Sequence, residues 1–267
     1  IDVYKKKNPA EKNFIDYALF VSFFPQLLSG PIERASNMLV QYKKTRKFDI
    51  SNLKAGSIRF LWGLFKKMII ADQLAMLVNG TYASLNEKSS INVVIAIIAY
   101  SLQIYVDFSA YSDMAIGSAR LLGLNIMENF DSPYLSSSVK MFWRRWHISL
   151  TSWFKDYLYI PLGGSRCSKL RNVLNTLIVF AVSGLWHGAS VTFLIWGVIN
   201  GIYLVIGNLM SPVYRKIKDY LKIKDSNNLF LIIKGTITFI LISLTWIFFR
   251  ADNLEHAILI FKSIYIN

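Results

Sequence analysis

Residues 172–214, NVLNTLIVFAVSGLWHGASVTFLIWGVINGIYLVIGNLMSPVY, run for 43 positions without a formal charge, closed at the two ends by Arg171 and Arg215. A helix rises about 1.5 Å per residue and a bilayer's hydrocarbon core is about 30 Å thick, so this stretch is long enough for two spans. Basic residues at both ends make an even number of crossings the economical path. Gly184 and Gly188 bracket Leu185-Trp186-His187 and are expected to break or bend the first span, and the second is expected over residues 191–209. An uncharged run of this length decides for a membrane protein over a soluble one.

The rest of the chain agrees. Of 267 residues 54% are hydrophobic, 15% aromatic and only 17% charged, with a mean hydropathy of +0.37. A soluble domain carries about 25% charged residues, and a disordered chain carries far fewer apolar ones. The net charge of +14 sits entirely in three segments, residues 31–59, 140–171 and 215–225. Lys and Arg concentrated between apolar runs are what cytoplasmic loops of a multi-pass protein carry, and they contact anionic lipid there. This placement argues against a nucleic-acid-binding surface. The lone Cys167 excludes an intrachain disulfide and has no zinc or redox spacing. The start, Ile1-Asp2-Val3-Tyr4-Lys5-Lys6-Lys7, has no initiating Met and no apolar signal core, so a piece of a longer protein is expected.

Further spans are expected over residues 229–249 and 91–106, the latter leading into the polar and aromatic stretch 107–120. Residues 14–28 are apolar but short and contain Pro25, which suggests a broken or re-entrant segment. Residues 56–78 carry Arg59, Lys66, Lys67 and Asp72 in an apolar pattern, as in an interfacial helix or one that lines a polar cavity. Residues 139–159 mix Trp and Tyr with Lys and Arg, which suits a helix at headgroup depth. The expected fold is an all-α, polytopic transmembrane helical bundle with broken, re-entrant and interfacial helices, forming one domain over residues 1–267.

His187 is the only ionisable side chain between Arg171 and Arg215 apart from tyrosines. Such a residue at membrane depth is costly and points to function, although a neutral imidazole bonded to a backbone carbonyl would satisfy the same pattern. A neutral imidazole can take a proton from an alcohol and later return it. His147 follows a dense aromatic and basic group that reads by itself as an interfacial anchor before a catalytic site. Arg144 and Arg145 are candidates for holding phosphate oxygens of an anionic donor or lipid. Asp107 with Tyr111, and Ser109 with Asp113, stand four apart and would share helix faces as a structural polar network. His256 is expected at the surface. Six residues between the two carboxylates give no metal signature, and no phosphate loop, dinucleotide fingerprint or nucleophile elbow is present. The residues alone leave an enzyme and a proton-coupled transporter both open.

Several segments resemble a known family. Phe142-Trp143-Arg144-Arg145-Trp146-His147-Ile148-Ser149-Leu150, Asp156-Tyr157-Leu158-Tyr159-Ile160-Pro161-Leu162-Gly163-Gly164 and Gly184-Leu185-Trp186-His187-Gly188-Ala189 are similar to motifs of the membrane-bound O-acyltransferase family, in its bacterial alginate O-acetylase-type branch. Phe23-Phe24-Pro25-Gln26-Leu27, Asp107-Phe108-Ser109 and Trp246-Ile247-Phe248-Phe249-Arg250-Ala251 extend the resemblance over most of the chain. It implies a funnel or tunnel through the membrane, His187 as catalytic histidine and His147 as the branch's second histidine. It also implies acyl transfer, with acetyl-CoA or another thioester as donor substrate and no bound cofactor. The implied acceptor is an extracytoplasmic polysaccharide such as alginate, cellulose, another exopolymer or peptidoglycan, reached through a partner acetyltransferase at the bacterial cytoplasmic membrane. A related branch transfers D-alanine to teichoic acid.

Overall fold

The computed structural model describes residues 1–220 and 227–266, and every described element is helical. The second half of the basic segment 215–225 lies outside the described residues. The helices gather into two compact units, Ile1–Ala71 with Tyr105–Asn129, and Asp72–Ile104 with Phe130–Asn267.

In the first unit, α1 (Phe14–Ser22) is capped by the Asn13 side chain, which accepts the Ile15 N–H, and it ends after nine residues. A single 3-10 turn over Phe24–Gln26 follows, with Pro25 at its start. The broken segment expected here is therefore a short helix and a turn, because proline has no N–H to continue the ladder. After α2 (Ala35–Tyr42) comes α3 (Ile50–Phe65), capped by Asp49. It runs through a π-helical turn, Lys66–Ala71, into α4 (Asp72–Tyr82), which opens the second unit. The residues 56–78, expected as an interfacial helix or one that lines a polar cavity, are thus helical throughout, with a π turn between α3 and α4. α5 (Ser90–Leu121) is unbroken for 32 residues, and the boundary between units falls within it.

Phe23, Met38, Ala115, Ile116, Ala119, Leu124 and Ile126 form the apolar core of the first unit. α3 touches the C-terminal half of α5 backbone to backbone: a Cβ on Gly63 would lie 2.6 Å from the Ala110 oxygen, and one on Gly117 would lie 2.7 Å from the Phe60 nitrogen. Small residues permit such approach between apolar helices, where dispersion and polar contacts drive packing.

The second unit contains α6 (Val139–Arg145), α7 (Ile148–Phe154) with a π turn over Lys155–Tyr159, α8 (Lys169–His187), α9 (Val191–Tyr220), α10 (Asn228–Arg250) and α11 (Leu254–Ile266). Among the described residues three helices, α5, α9 and α10, are long and apolar enough to cross a membrane. α8, expected as the first span of the uncharged stretch, is less apolar, since its first half holds Lys169, Arg171, Asn172 and Asn175. Gly184 does not break it, whereas the helix ends at His187 with Gly188 as its C-cap. Instead Gly184 and Gly197 seat α8 and α9 as a tight hairpin, for a Cβ on either would come within 2.2 Å of a backbone oxygen of Phe193 or Phe180. The helix expected over residues 191–209 continues to Tyr220 through Pro212.

Candidate functional site

The segment 139–159, expected as one helix, is broken into α6, α7 and the π turn after it. Ser138 caps α6 by accepting the Met141 N–H, and the helix stops at Trp146, whose N–H still donates to the Phe142 oxygen. His147 then takes a left-handed conformation, φ 44° and ψ 55°, before α7 begins. A non-glycine residue there costs on the order of 1–2 kcal/mol and is held by its surroundings. What this strained turn accomplishes is inward aim. His147 is only 6% exposed, and Trp143 and Trp146 are 8% and 4% exposed, buried in protein rather than facing lipid headgroups.

His187 is the last residue of α8, where the hairpin turns toward α9. Its ring meets the Trp196 ring edge-to-face at 5.2 Å and 89°, and the Phe249 ring at 5.1 Å and 74°. Trp196 stacks on Trp246 of α10 at 5.7 Å, and Trp143 meets Trp196 at 5.7 Å and 74°. Edge-to-face and offset pairs of this kind fix ring orientation as well as burying area. The cluster is tied down by a polar chain: the Trp246 indole donates to the Tyr134 hydroxyl at 3.0 Å, and that hydroxyl donates to the Ser101 carbonyl at 2.6 Å. Ser101 itself donates to Ser243 at 2.9 Å.

Within this aromatic framework lies a cavity of about 60 Å³. His147, His187, Trp143, Trp146, Trp196 and Ser183 are in its lining. Two histidines 40 positions apart in the chain therefore face one small space. That volume has room for a few waters. The chemistry on offer is proton transfer by imidazole in a space walled by rings.

The remaining candidate residues fall elsewhere. Arg144 is exposed and Arg145 lies 3.6 Å from the Asp131 carboxylate; neither lines the cavity. Asp107 and Asp113 do form a polar network, within the first unit. Lys67 pairs with Asp107 at 2.8 Å, and Asp113 bridges Arg59 at 3.0 Å and Lys66 at 2.6 Å. Lys66 also donates to Ser109 at 2.8 Å, and Arg59 forks onto Glu128. Tyr111 packs its ring against the apolar core instead. His256 is half-buried rather than superficial, 3.3 Å from Asp252 and edge-on to Tyr82. Among the described residues no cluster of three or more His, Cys, Asp or Glu is arranged to hold a metal ion. Sequence reasoning passed over Trp196 and Phe249 as parts of the histidine's surroundings. Their signal, an aromatic within an apolar run, is the same as that of any core residue.

A helical membrane protein whose interior presents two histidines to one aromatic cavity is the class that fold and site define. Residues 4–250 match the model of the membrane-bound O-acyltransferase family, and the chain belongs to that family. It is 40% identical over 96% of its length to a probable alginate O-acetylase of Pseudomonas syringae pv. tomato, covering 47% of that protein. It is 42% identical over 94% of its length to a peptidoglycan O-acetyltransferase of Helicobacter pylori, covering 46%. A teichoic acid D-alanyltransferase of Bacillus subtilis is 26% identical over 74% of the chain, with 53% of that protein covered. The chain spans about half the length of the curated relatives it matches.

Proposed function

We propose that this chain carries the histidine centre of an enzyme that moves an acyl group, acetyl, from a cytoplasmic thioester across the bacterial cytoplasmic membrane toward hydroxyls of an extracytoplasmic polysaccharide. The observation that carries this reading is the convergence of His147 and His187 on one small ring-lined cavity. The named relatives act on alginate, peptidoglycan or teichoic acid, which supports a cell-surface polymer as acceptor.

In this mechanism His187 takes the proton of the attacking hydroxyl as its oxygen bonds to the thioester carbonyl carbon. The tetrahedral species collapses, the C–S bond breaks with its electron pair leaving on sulfur, and the imidazolium returns the proton to the thiolate. His147, locked by its strained turn, orients the reacting groups. Acetyl-CoA is the donor, and Arg144 and Arg145 meet its phosphates outside the cavity. The Asp107 and Asp113 network positions helices. A partner acetyltransferase carries the group onward to the polymer.

The test follows radiolabelled acetyl from acetyl-CoA in membranes holding the full-length protein, its partners and the polymer. Label in the polymer that vanishes with His187→Ala at normal protein level is the expected result. No label with intact wild-type protein overturns acetyl transfer and turns attention to D-alanyl donors or to proton-coupled transport.

A further inference from the structure

Trp143 and Trp196 are 8% and 1% exposed, and the indole N–H of each has no hydrogen-bond partner among the described residues. A buried donor left unpaired costs about 1–3 kcal/mol, so native proteins retain few of them. Other polar atoms in this chain share that condition, Tyr42 and Tyr82 hydroxyls among them. What separates the two indoles is position: both line the cavity that His147 and His187 share. The adjoining Trp246, stacked on Trp196 but absent from the lining, has its N–H satisfied by Tyr134. Three indoles of the cluster border the cavity, and two of them, Trp143 and Trp196, carry N–H groups without a partner among the described residues, whereas the Trp246 N–H, away from the cavity, is engaged by Tyr134.

We propose that the Trp143 and Trp196 indole N–H groups are catalytic hydrogen-bond donors to the acyl carbonyl oxygen in the histidine cavity. This rests on the acyl-transfer reading above. As the acceptor oxygen bonds to the carbonyl carbon and His187 takes its proton, the C=O π pair moves onto oxygen, and the two N–H groups hold that charge. When the C=O bond re-forms and the C–S pair leaves with sulfur, the hydrogen bonds relax to their ground-state strength. Donors fixed in place before the charge develops require no reorganisation, and in a space walled by rings they act at low dielectric. The ring contacts supply that fixity: Trp143 is held against Phe180 at 5.3 Å and Trp196 against Trp246 and His187. An indole N–H does not titrate in the working range, so the site keeps its donors whatever the protonation of the histidines.

The experiment compares full-length wild type, Trp143→Phe, Trp196→Phe and His187→Ala in membranes, with acetyl-CoA as donor. Phenylalanine removes the donor and keeps an aromatic wall. Each Trp→Phe change is expected to lower kcat by about 10²-fold, with KM for acetyl-CoA within about twofold and the pH profile of residual activity unchanged. Should either variant fail to accumulate, benzothienylalanine at the same position replaces N–H by sulfur in nearly the same shape, and the same fall in kcat is expected. Wild-type kcat in the Phe or benzothienyl variants, or a loss confined to KM, overturns the proposal. If those variants are active while His187→Ala is dead, this inference alone fails; if wild type transfers no acetyl, the functional reading fails and takes the inference with it.

Discussion

The first unit, Ile1–Ala71 with Tyr105–Asn129, fastens its helices with paired charges, whereas the second fastens its helices with rings and leaves hydrogen-bonding capacity open. Around α3 and the end of α5, Arg59, Lys66 and Lys67 face Asp113, Glu128 and Asp107, three cations against three anions. Ionisable groups among apolar helices are tolerable when neutralised by partners, and here the partners are all protein. Around α8 and α10, His187 stands among Trp196, Phe249 and Trp186 rings. The contrast teaches where to look for chemistry. A charge network whose members are mutually paired holds structure, and a titratable group set among rings beside open donors is free to meet a substrate.

The largest expected effect comes from the ring-lined unit. His187→Ala should reduce acyl transfer by about 10²- to 10⁴-fold while the thermal midpoint in detergent stays near wild type, since general acid–base catalysis has that range. A wild-type rate in this variant would place the chemistry elsewhere. Next, Gly197→Val should lower stability by about 1–3 kcal/mol or more, because the α8–α9 hairpin has no room for a Cβ beside the Phe180 oxygen. A thermal melt that does not shift would show that the two helices part easily.

Breaking the charge-paired unit should matter less. Asp113→Asn leaves Arg59 with Glu128 but takes the carboxylate from Lys66; with these side chains 28%, 16% and 13% exposed, a loss of about 1–2 kcal/mol is expected, between the limits for surface and buried pairs. Its kcat should fall no further than the fraction of folded protein does. If kcat drops 10²-fold at full folding, the network takes part in the reaction and the comparison fails.

His147→Asn and His147→Ala sharpen the reading of the strained turn. Asparagine accepts the left-handed backbone better than alanine, so the Asn variant should melt higher, by about 1 kcal/mol. Equal melts would show that the turn stores no strain. Smallest of all is the effect of Lys43→Met. The Lys43 hydrogen bond first, and the Asn13 N–H after it, hold the Glu11 carboxyl below its ordinary value of 4.5. Because the native carboxyl is the stronger acid, the pair's contribution is present above the unfolded pKa and fades as pH falls through the native one. In Lys43→Met the Glu11 titration, followed by NMR, should move up toward 4.5 with the thermal midpoint unchanged. An unmoved titration would assign the shift to the backbone donors.

Much of this molecule was legible as a string. Apolar length gave α9 and α10 as candidate spans, and i, i+4 spacing put Asp113 and Ser109 on one face of α5, where both meet Lys66. The lone imidazole in an uncharged run singled out His187. Other features were not legible. Trp143 and Trp146 read as headgroup anchors because indoles beside arginines have the same local pattern whether they face lipid or a packed aromatic core. Gly184 read as a helix breaker, yet it is a contact surface. A glycine's tolerance for bending and its tolerance for a touching neighbour are the same missing Cβ.

The sequence by itself determined that the chain is helical, apolar enough for a membrane and carrier of a histidine in a costly place, because length, charge and side-chain chemistry are local quantities. Tertiary packing is what brings His147 to His187 in one cavity, neutralises Asp107 and Asp113 with α3 and the π turn after it, and leaves two indole donors beside the histidines without a partner among the described residues. Those facts depend on which helices approach and at what backbone separation. That separation is set by missing Cβ atoms, a left-handed turn and interlocking rings acting between residues far apart in the chain.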